Sequence, residues 1–247
     1  MAETIVALDR PTSEEALALV DELGPGASFL KVGLELFTRE GPAVVRALRN
    51  RGHRIFLDLK LHDIPHTVAR AVRSMASLRV ELLTVHTAGG GVMMEAAAEA
   101  AAEARGAQEG PMRVVGVTVL TSLDAEAVAG VWGRPVDSVR DEVVRLARLA
   151  RASGLDGVVS SAREAASLRS ALGPDALLVT PGIRLAGDTH GDQKRVVTPG
   201  EAAAAGADYL VIGRTVTAAP EPARALERVR AELDSASNES PPERPTS

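Results

Sequence analysis

Along the chain, short runs of apolar and β-branched residues alternate with longer segments whose apolar positions recur at a helical period. The runs cover residues 4–9, 29–33, 54–60, 81–86, 113–120, 157–161, 176–181 and 208–213, eight in all, each with the length and composition of a buried strand. Between them, 13–23, 42–51, 66–77 and 139–153 read as amphipathic helices, the first with a capped start at Ser13 followed by Glu14 and Glu15. Residues 93–105 (MMEAAAEAAAEAR) are Ala-rich with Glu95, Glu99 and Glu103 four apart, which predicts a helix with one acidic face. Eight βα units in roughly 235 residues fit one (β/α)8 TIM barrel, an α/β fold whose usual length is about 250 residues. A doubly wound open sheet is the alternative, but it normally carries a glycine-rich turn after its first strand. Here the first run ends in Leu8-Asp9-Arg10-Pro11. The expected organisation is therefore a barrel domain over 1–234 and a short disordered tail over 235–247. The final NESPPERPTS holds three prolines and no apolar residue.

Composition changes this picture little and excludes much. The chain is 45% hydrophobic and 25% charged, an ordinary globular balance. It has no cysteine, which excludes disulfides and thiolate metal sites and fits a reducing, cytoplasmic setting. A net charge of −5 with scattered Lys and Arg argues against a nucleic-acid or membrane-surface binder, and 2% aromatic residues against a platform that stacks single-stranded bases. No apolar run approaches the ~18–20 residues of a membrane span. The first strand-like run begins at Thr4, so no signal peptide is expected.

The candidate chemistry lies at the run ends. In a barrel, the C-terminal ends of the strands and the loops after them form the active face. Asp9 ends the first run, Lys31 lies late in the second, and Asp58 and Lys60 close the third, within FLDLKLHDIPHTV (56–68). Asp58 and Lys60 are two apart, which on a strand turns both to the same side. Asp63 follows in the loop before Pro65. At ~4 Å and an effective dielectric near ~20, each ammonium–carboxylate pair gains about 4 kcal/mol of gross Coulomb energy. A Lys–Asp–Lys–Asp array of Lys31, Asp58, Lys60 and Asp63 is neutral overall, which makes it cheaper to bury than a lone charge but not a stability device. Any one charge at a strand end is as readily an ordinary surface ion pair. Four that converge on one mouth favour function.

A second cluster ends the chain. TPGIR (180–184) closes the seventh run, GDQKR (191–195) lies in a Gly-rich loop, and VIGRT (211–215) closes the eighth. Barrels often bind phosphate after strands seven and eight. Gly213 permits close backbone approach there, and Arg214 can grip a phosphate through two guanidinium N–H groups. His62 and His66 have the spacing of a helical zinc pair, but Pro65 breaks a helix at that point, so no metal site is predicted. Trp132 and Tyr209 are read as packing residues.

Taken together, DLKLHDIPHTV, ALD at Asp9, KVGLELF at Lys31, VTVLTS at Thr121-Ser122, TPGIR, GDQKR and IGRT resemble in order and spacing the motifs of the orotidine 5′-phosphate decarboxylase family, over nearly the whole chain. The resemblance implies a homodimeric barrel that makes UMP from orotidine 5′-phosphate with neither metal nor organic cofactor. It implies that Lys60 delivers the proton, with Lys31, Asp58 and Asp63 completing the charged array. It further implies that Asp63 and Thr67 reach into the neighbouring subunit's site to contact ribose, and that Ile64 belongs to the substrate-binding set. Asp9 and Lys31 would hold ribose hydroxyls, and Thr121 and Ser122 would lie near the pyrimidine. Gln193 would bridge base and phosphate, with Arg184, Gly213 and Arg214 around the phosphate. Phosphate binding would then close residues 185–194 over the base.

Two rivals remain at this point. A sister barrel resembling 3-keto-gulonate-phosphate decarboxylase or hexulose-phosphate synthase uses the same Asp-x-Lys-x-x-Asp motif with Mg²⁺, although Ile64-Pro65 and the long Gln193 loop favour the nucleotide enzyme. A non-catalytic barrel for phosphate ligands would bind UMP and leave orotidylate unchanged.

Overall fold

The structure is a computed structural model that describes residues 2–107, 111–185 and 197–238. In chain order its elements are β1 (Glu3–Ala7), α1 (Ser13–Leu23), β2 (Phe29–Gly33), α2 (Leu34–Glu40), α3 (Pro42–Asn50), β3 (Arg54–Leu61), α4 (Pro65–Ala76), β4 (Leu82–His86) and α5 (Gly91–Gly106). There follow β5 (Arg113–Val117), α6 (Ala125–Trp132), α7 (Val139–Ala152), β6 (Gly157–Val159), α8 (Ala165–Leu172), β7 (Leu177–Pro181), α9 (Pro199–Ala204), β8 (Tyr209–Ile212), α10 (Arg214–Thr217) and α11 (Pro222–Asn238). The strands pair in parallel and in sequence order, and β1 pairs with β8 to close the barrel. The (β/α)8 architecture expected from the alternation is the one observed.

The strands read as nearly continuous apolar runs because both of their faces are buried. Alternate residues such as Ile5, Phe29, Phe56, Leu82 and Val115 fill the barrel interior. Their neighbours Val6, Leu30, Val32, Ile55, Leu57 and Leu83 pack in the layer shared with the helices. This alternation sets the site. Two residues beyond the interior positions Ala7, Phe29, Phe56 and Leu82 come Asp9, Lys31, Asp58 and Thr84, one layer higher and at the C-terminal mouth.

Several element ends differ from the sequence reading. The fifth strand stops at Val117 rather than 120, and the sixth at Val159 rather than 161: Val117 and Val159 are the last residues of each that pair with the next strand, and the Thr118 and Ser160 N–H groups make the final bonds, to the Val159 and Val179 carbonyls. Helix α1 does begin at Ser13, but its cap is Thr12, whose hydroxyl accepts from the Glu15 N–H at 3.2 Å. Pro65, not His66, opens α4, in the first turn, where a missing N–H costs no intrahelical hydrogen bond. Helix α5 has the Ala face buried and Glu103 outward, paired with Arg73 of α4. The last helix runs to Asn238, past the boundary expected at 234. Tyr209 is a packing residue, meeting Phe29 edge-on inside the barrel.

Candidate active site

The third strand departs from regular geometry where its charges lie. Leu57 pairs with Leu83, but the next pair along the ladder is Leu61 with Val85, so β3 spends more residues than β4 over the same rise. Lys60 sits inside this bulge in the left-handed region, at φ 52, a conformation that is uncommon for a residue with a Cβ. Asp58 and Lys60 therefore do not lie side by side as alternate residues of a flat strand. The bulge folds the Lys60 side chain back, and its Nζ donates to both carboxylate oxygens of Asp58, at 2.9 and 3.0 Å.

The pair is part of a chain of charges. Lys31 Nζ is 2.9 Å from Asp9 Oδ1 and 3.9 Å from Asp58 Oδ2, giving the order Asp9–Lys31–Asp58–Lys60 across the mouth from β1 to β3. The middle of the chain is largely buried: the Lys31 and Asp58 side chains are 11% and 14% exposed. At an effective dielectric near ~20, the 2.9 Å contact between Lys60 and Asp58 is worth about 6 kcal/mol of gross attraction, against which desolvation must be set. Gly33 leaves room for the array, since a Cβ there would stand 3.0 Å from Lys31 Nζ and 3.4 Å from Asp9 Oδ1.

Beside the charges lies a cavity of about 190 Å³. Lys31, Asp58 and Lys60 form its charged wall, Phe56, Val117, Val159 and Val211 its apolar floor, and Thr121 and Ser160 contribute hydroxyls. Charged groups held against an apolar floor are screened less than in bulk water. Of the remaining residues singled out in the sequence, Ser122 is exposed beside Thr121. Arg184 is buried just past β7 and its N–H donates to the Val197 carbonyl, while Gly213 caps α10 and Arg214 is its first residue. These place the second cluster at the mouth, after β7 and β8. Gln193 and most of the 185–194 segment lie outside the described residues.

Asp63 does not join the array within one chain. Its carboxylate accepts from the Ile64 N–H at 2.6 Å, and among the described residues no cation pairs with it. Asp63, Ile64 and Thr67 instead form an exposed strip at the start of α4, with Ile64 66% exposed. His62 stacks on His86 at 5.6 Å between ring centroids. Burial, then the charges of His62 and Lys60, lowers the His86 pKa from the usual histidine value. Among the described residues no three His, Asp or Glu side chains gather as a metal site, and no helix is long and apolar enough to cross a membrane.

Sequence reasoning passed over Thr84. It is fully buried, and its hydroxyl touches both members of the Asp58–Lys60 pair. The available signal was a hydroxyl enclosed by the apolar residues of LLTV, at an inward position one layer above Leu82.

Fold and site thus define a (β/α)8 barrel with a chain of lysine–aspartate contacts over an apolar floor. The profile of the orotidine 5′-phosphate decarboxylase / HUMPS family matches residues 3–229. An orotidine 5′-phosphate decarboxylase from Moorella thermoacetica is 52% identical over 231 residues, 93% of this chain and 91% of that protein. One from Nitrosococcus oceani is also 52% identical, over 93% of this chain and 96% of its own. The crystal structure of orotidine 5′-phosphate decarboxylase from Lactobacillus acidophilus superposes with a TM-score of 0.84 at 35% identity, covering 95% of this chain and 100% of that one. The chain belongs to the orotidine 5′-phosphate decarboxylase / HUMPS family.

Proposed function

We propose that the protein decarboxylates orotidine 5′-phosphate to UMP in pyrimidine nucleotide synthesis. The observation that carries this reading is the Asp9–Lys31–Asp58–Lys60 chain standing over the apolar cavity. Breaking the bond from C6 to the carboxylate releases CO₂ and leaves the electron pair on C6, where the pyrimidine ring delocalises it poorly. The Lys60 ammonium stabilises that charge as it develops and then transfers a proton to C6, to be reprotonated from solvent. Asp58 fixes the ammonium, and Lys31 is held between Asp58 and Asp9. In this reading Asp9 and Lys31 hold ribose hydroxyls and Thr121 and Ser122 face the pyrimidine. Arg184, Gly213 and Arg214 take the phosphate, and Gln193 links phosphate and base. Because the phosphate lies far from C6, its binding energy can be spent on assembling the site.

The protein is further proposed to act as a cytoplasmic homodimer in which Asp63, Ile64 and Thr67 complete the site of the other subunit. The exposed strip these residues form, and the absence of a cation against Asp63 among the described residues of its own chain, support that assignment. The Mg²⁺-dependent sister chemistry is less well supported. The Lys31 ammonium already occupies the space between the Asp9 and Asp58 carboxylates, and the relatives at about half identity bear the decarboxylase name.

The test is conversion of orotidine 5′-phosphate to UMP and CO₂ in excess EDTA, with Lys60→Ala as the comparison. The wild type should turn over undiminished. Lys60→Ala should lose a factor of about 10²–10⁴ or more in kcat while UMP still binds within about a hundredfold, because the lost interaction belongs to the transition state. Equal losses in UMP affinity and turnover would remove Lys60 from that role, and dependence on Mg²⁺ would favour the sister chemistry.

A further inference from the structure

Thr84 lies on β4, inward-facing and fully buried, directly across from the bulge of β3. The bulge removes the Lys60 N–H from the β3–β4 ladder, and a buried N–H without an acceptor is costly. Thr84 Oγ1 supplies that acceptor, at 2.8 Å. A backbone N–H can only donate, so the direction of this bond is fixed. The single hydroxyl proton of Thr84 is then available to the carboxylate, and Oγ1 stands 3.1 Å from Asp58 Oδ1. One hydroxyl therefore ties the left-handed backbone of Lys60 to the carboxylate that receives the Lys60 ammonium. The same carboxylate turns its other oxygen toward Lys31.

We propose that Thr84 is a positioning residue for the decarboxylation, setting the Asp58 carboxylate and the Lys60 backbone in one register so that the ammonium stands at the cavity. It touches no reacting atom and acts through the pair it holds. A merely structural threonine would contribute packing and a hydrogen bond to stability without moving kcat, and valine has nearly its shape without the hydroxyl. The inference rests on the decarboxylase reading above, in which Asp58 and Lys60 serve the chemistry.

The experiment compares wild type, Thr84→Val and Thr84→Ser for kcat and KM with orotidine 5′-phosphate, UMP affinity by calorimetry, and thermal midpoint. Thr84→Val should lower kcat about ten- to a hundredfold, the range expected when hydrogen bonds to a charged group are lost in the transition state. UMP affinity should stay within about threefold of wild type, since binding shared by ground and transition states is untouched. Thr84→Ser, which keeps the hydroxyl, should recover most of the lost turnover. Should Thr84→Val not fold, Thr84→Ala, which cannot overpack the site, is held to the same criteria. The inference is overturned by a hydroxyl-free variant with wild-type kcat, by parallel losses in UMP affinity and kcat, or by Thr84→Ser as damaged as Thr84→Val. A wild-type protein without turnover would instead remove the decarboxylase reading, so the two failures are distinguishable.

Discussion

Replacing Lys60 by Ala in one population of chains and Asp63 by Ala in another separates a site built by one subunit from a site shared by two. Lys60 pairs with Asp58 of its own chain at 2.9 Å, whereas among the described residues the Asp63 carboxylate meets the Ile64 N–H and no cation, on an exposed strip. If Asp63 serves the partner's site, each homodimer lacks a needed group at both of its sites, and each should be severely impaired. In a two-fold dimer the contacts are reciprocal, so a mixed dimer gathers both defects in one site and leaves the other with native Lys60 and native Asp63. Random pairing of equal amounts makes about half of the dimers mixed, and about half of their sites intact, so activity should return to about one quarter of wild type. The assay is the absorbance change as orotidine 5′-phosphate becomes UMP, after co-refolding, with mixed dimers counted by native mass spectrometry. No recovery in a sample that contains the mixed dimer would assign Lys60 and Asp63 to one chain's site and refute the shared-site reasoning.

Arg214→Ala should weaken UMP roughly ten- to a hundredfold, the worth of a charge-assisted contact to phosphate, while the slow reaction of the bare nucleoside stays nearly unchanged; equal damage to both substrates would give Arg214 another role. Gly33→Ala should shift the Lys31 ammonium by a few tenths of an ångström, because the new Cβ would stand 3.0 Å from it, and turnover should fall with little change in thermal midpoint; unchanged kcat would show that the array tolerates the displacement. Glu142, 5% exposed on α7, accepts from Arg145 and Arg134, and the Arg145 hydrogen bonds, followed by those of Arg134, outweigh burial to hold its pKa below the usual 4.5. A lowered carboxylate pKa gives stability that is present above pH 4.5 and lost as pH falls through the folded value. Glu142→Gln should therefore cost ~2 kcal/mol near neutral pH, lower the thermal midpoint by roughly 4–8 °C for a chain of this size, and flatten the acid limb of the stability curve; an acid limb identical to wild type would disprove the assignment.

The barrel was legible in the sequence because its cause is local and repeated. A strand buried on both faces must be apolar at nearly every position, and a helix laid against it must be apolar at every third or fourth. Eight such alternations leave few other architectures open, and the rule that strand C-terminal ends face the site then draws Asp9, Lys31, Asp58 and Lys60 to one mouth. Strand ends were less legible. Where the pairing of β5 with β6 and of β6 with β7 runs out depends on how far the neighbouring strand follows, which no local pattern encodes.

The fold, the inward layer of charges and the motifs that mark the family are thus written in the order of the residues. How those charges meet is set by the folded barrel. Two-residue spacing put Asp58 and Lys60 on one face of a regular strand, but the ladder between β3 and β4 slips, Lys60 turns left-handed, and its ammonium folds back onto the carboxylate. Thr84 became visible only then, since its importance lies in two partners contributed by another strand. Asp63, in sequence an equal member of the motif, is exposed, and its carboxylate accepts from the Ile64 N–H rather than meeting the array of its own chain. Spacing along a chain fixes which side chains can share a face. Ion pairs and hydrogen bonds form over about 3 Å, and at that range register, bulges and the neighbouring strand decide which of them do.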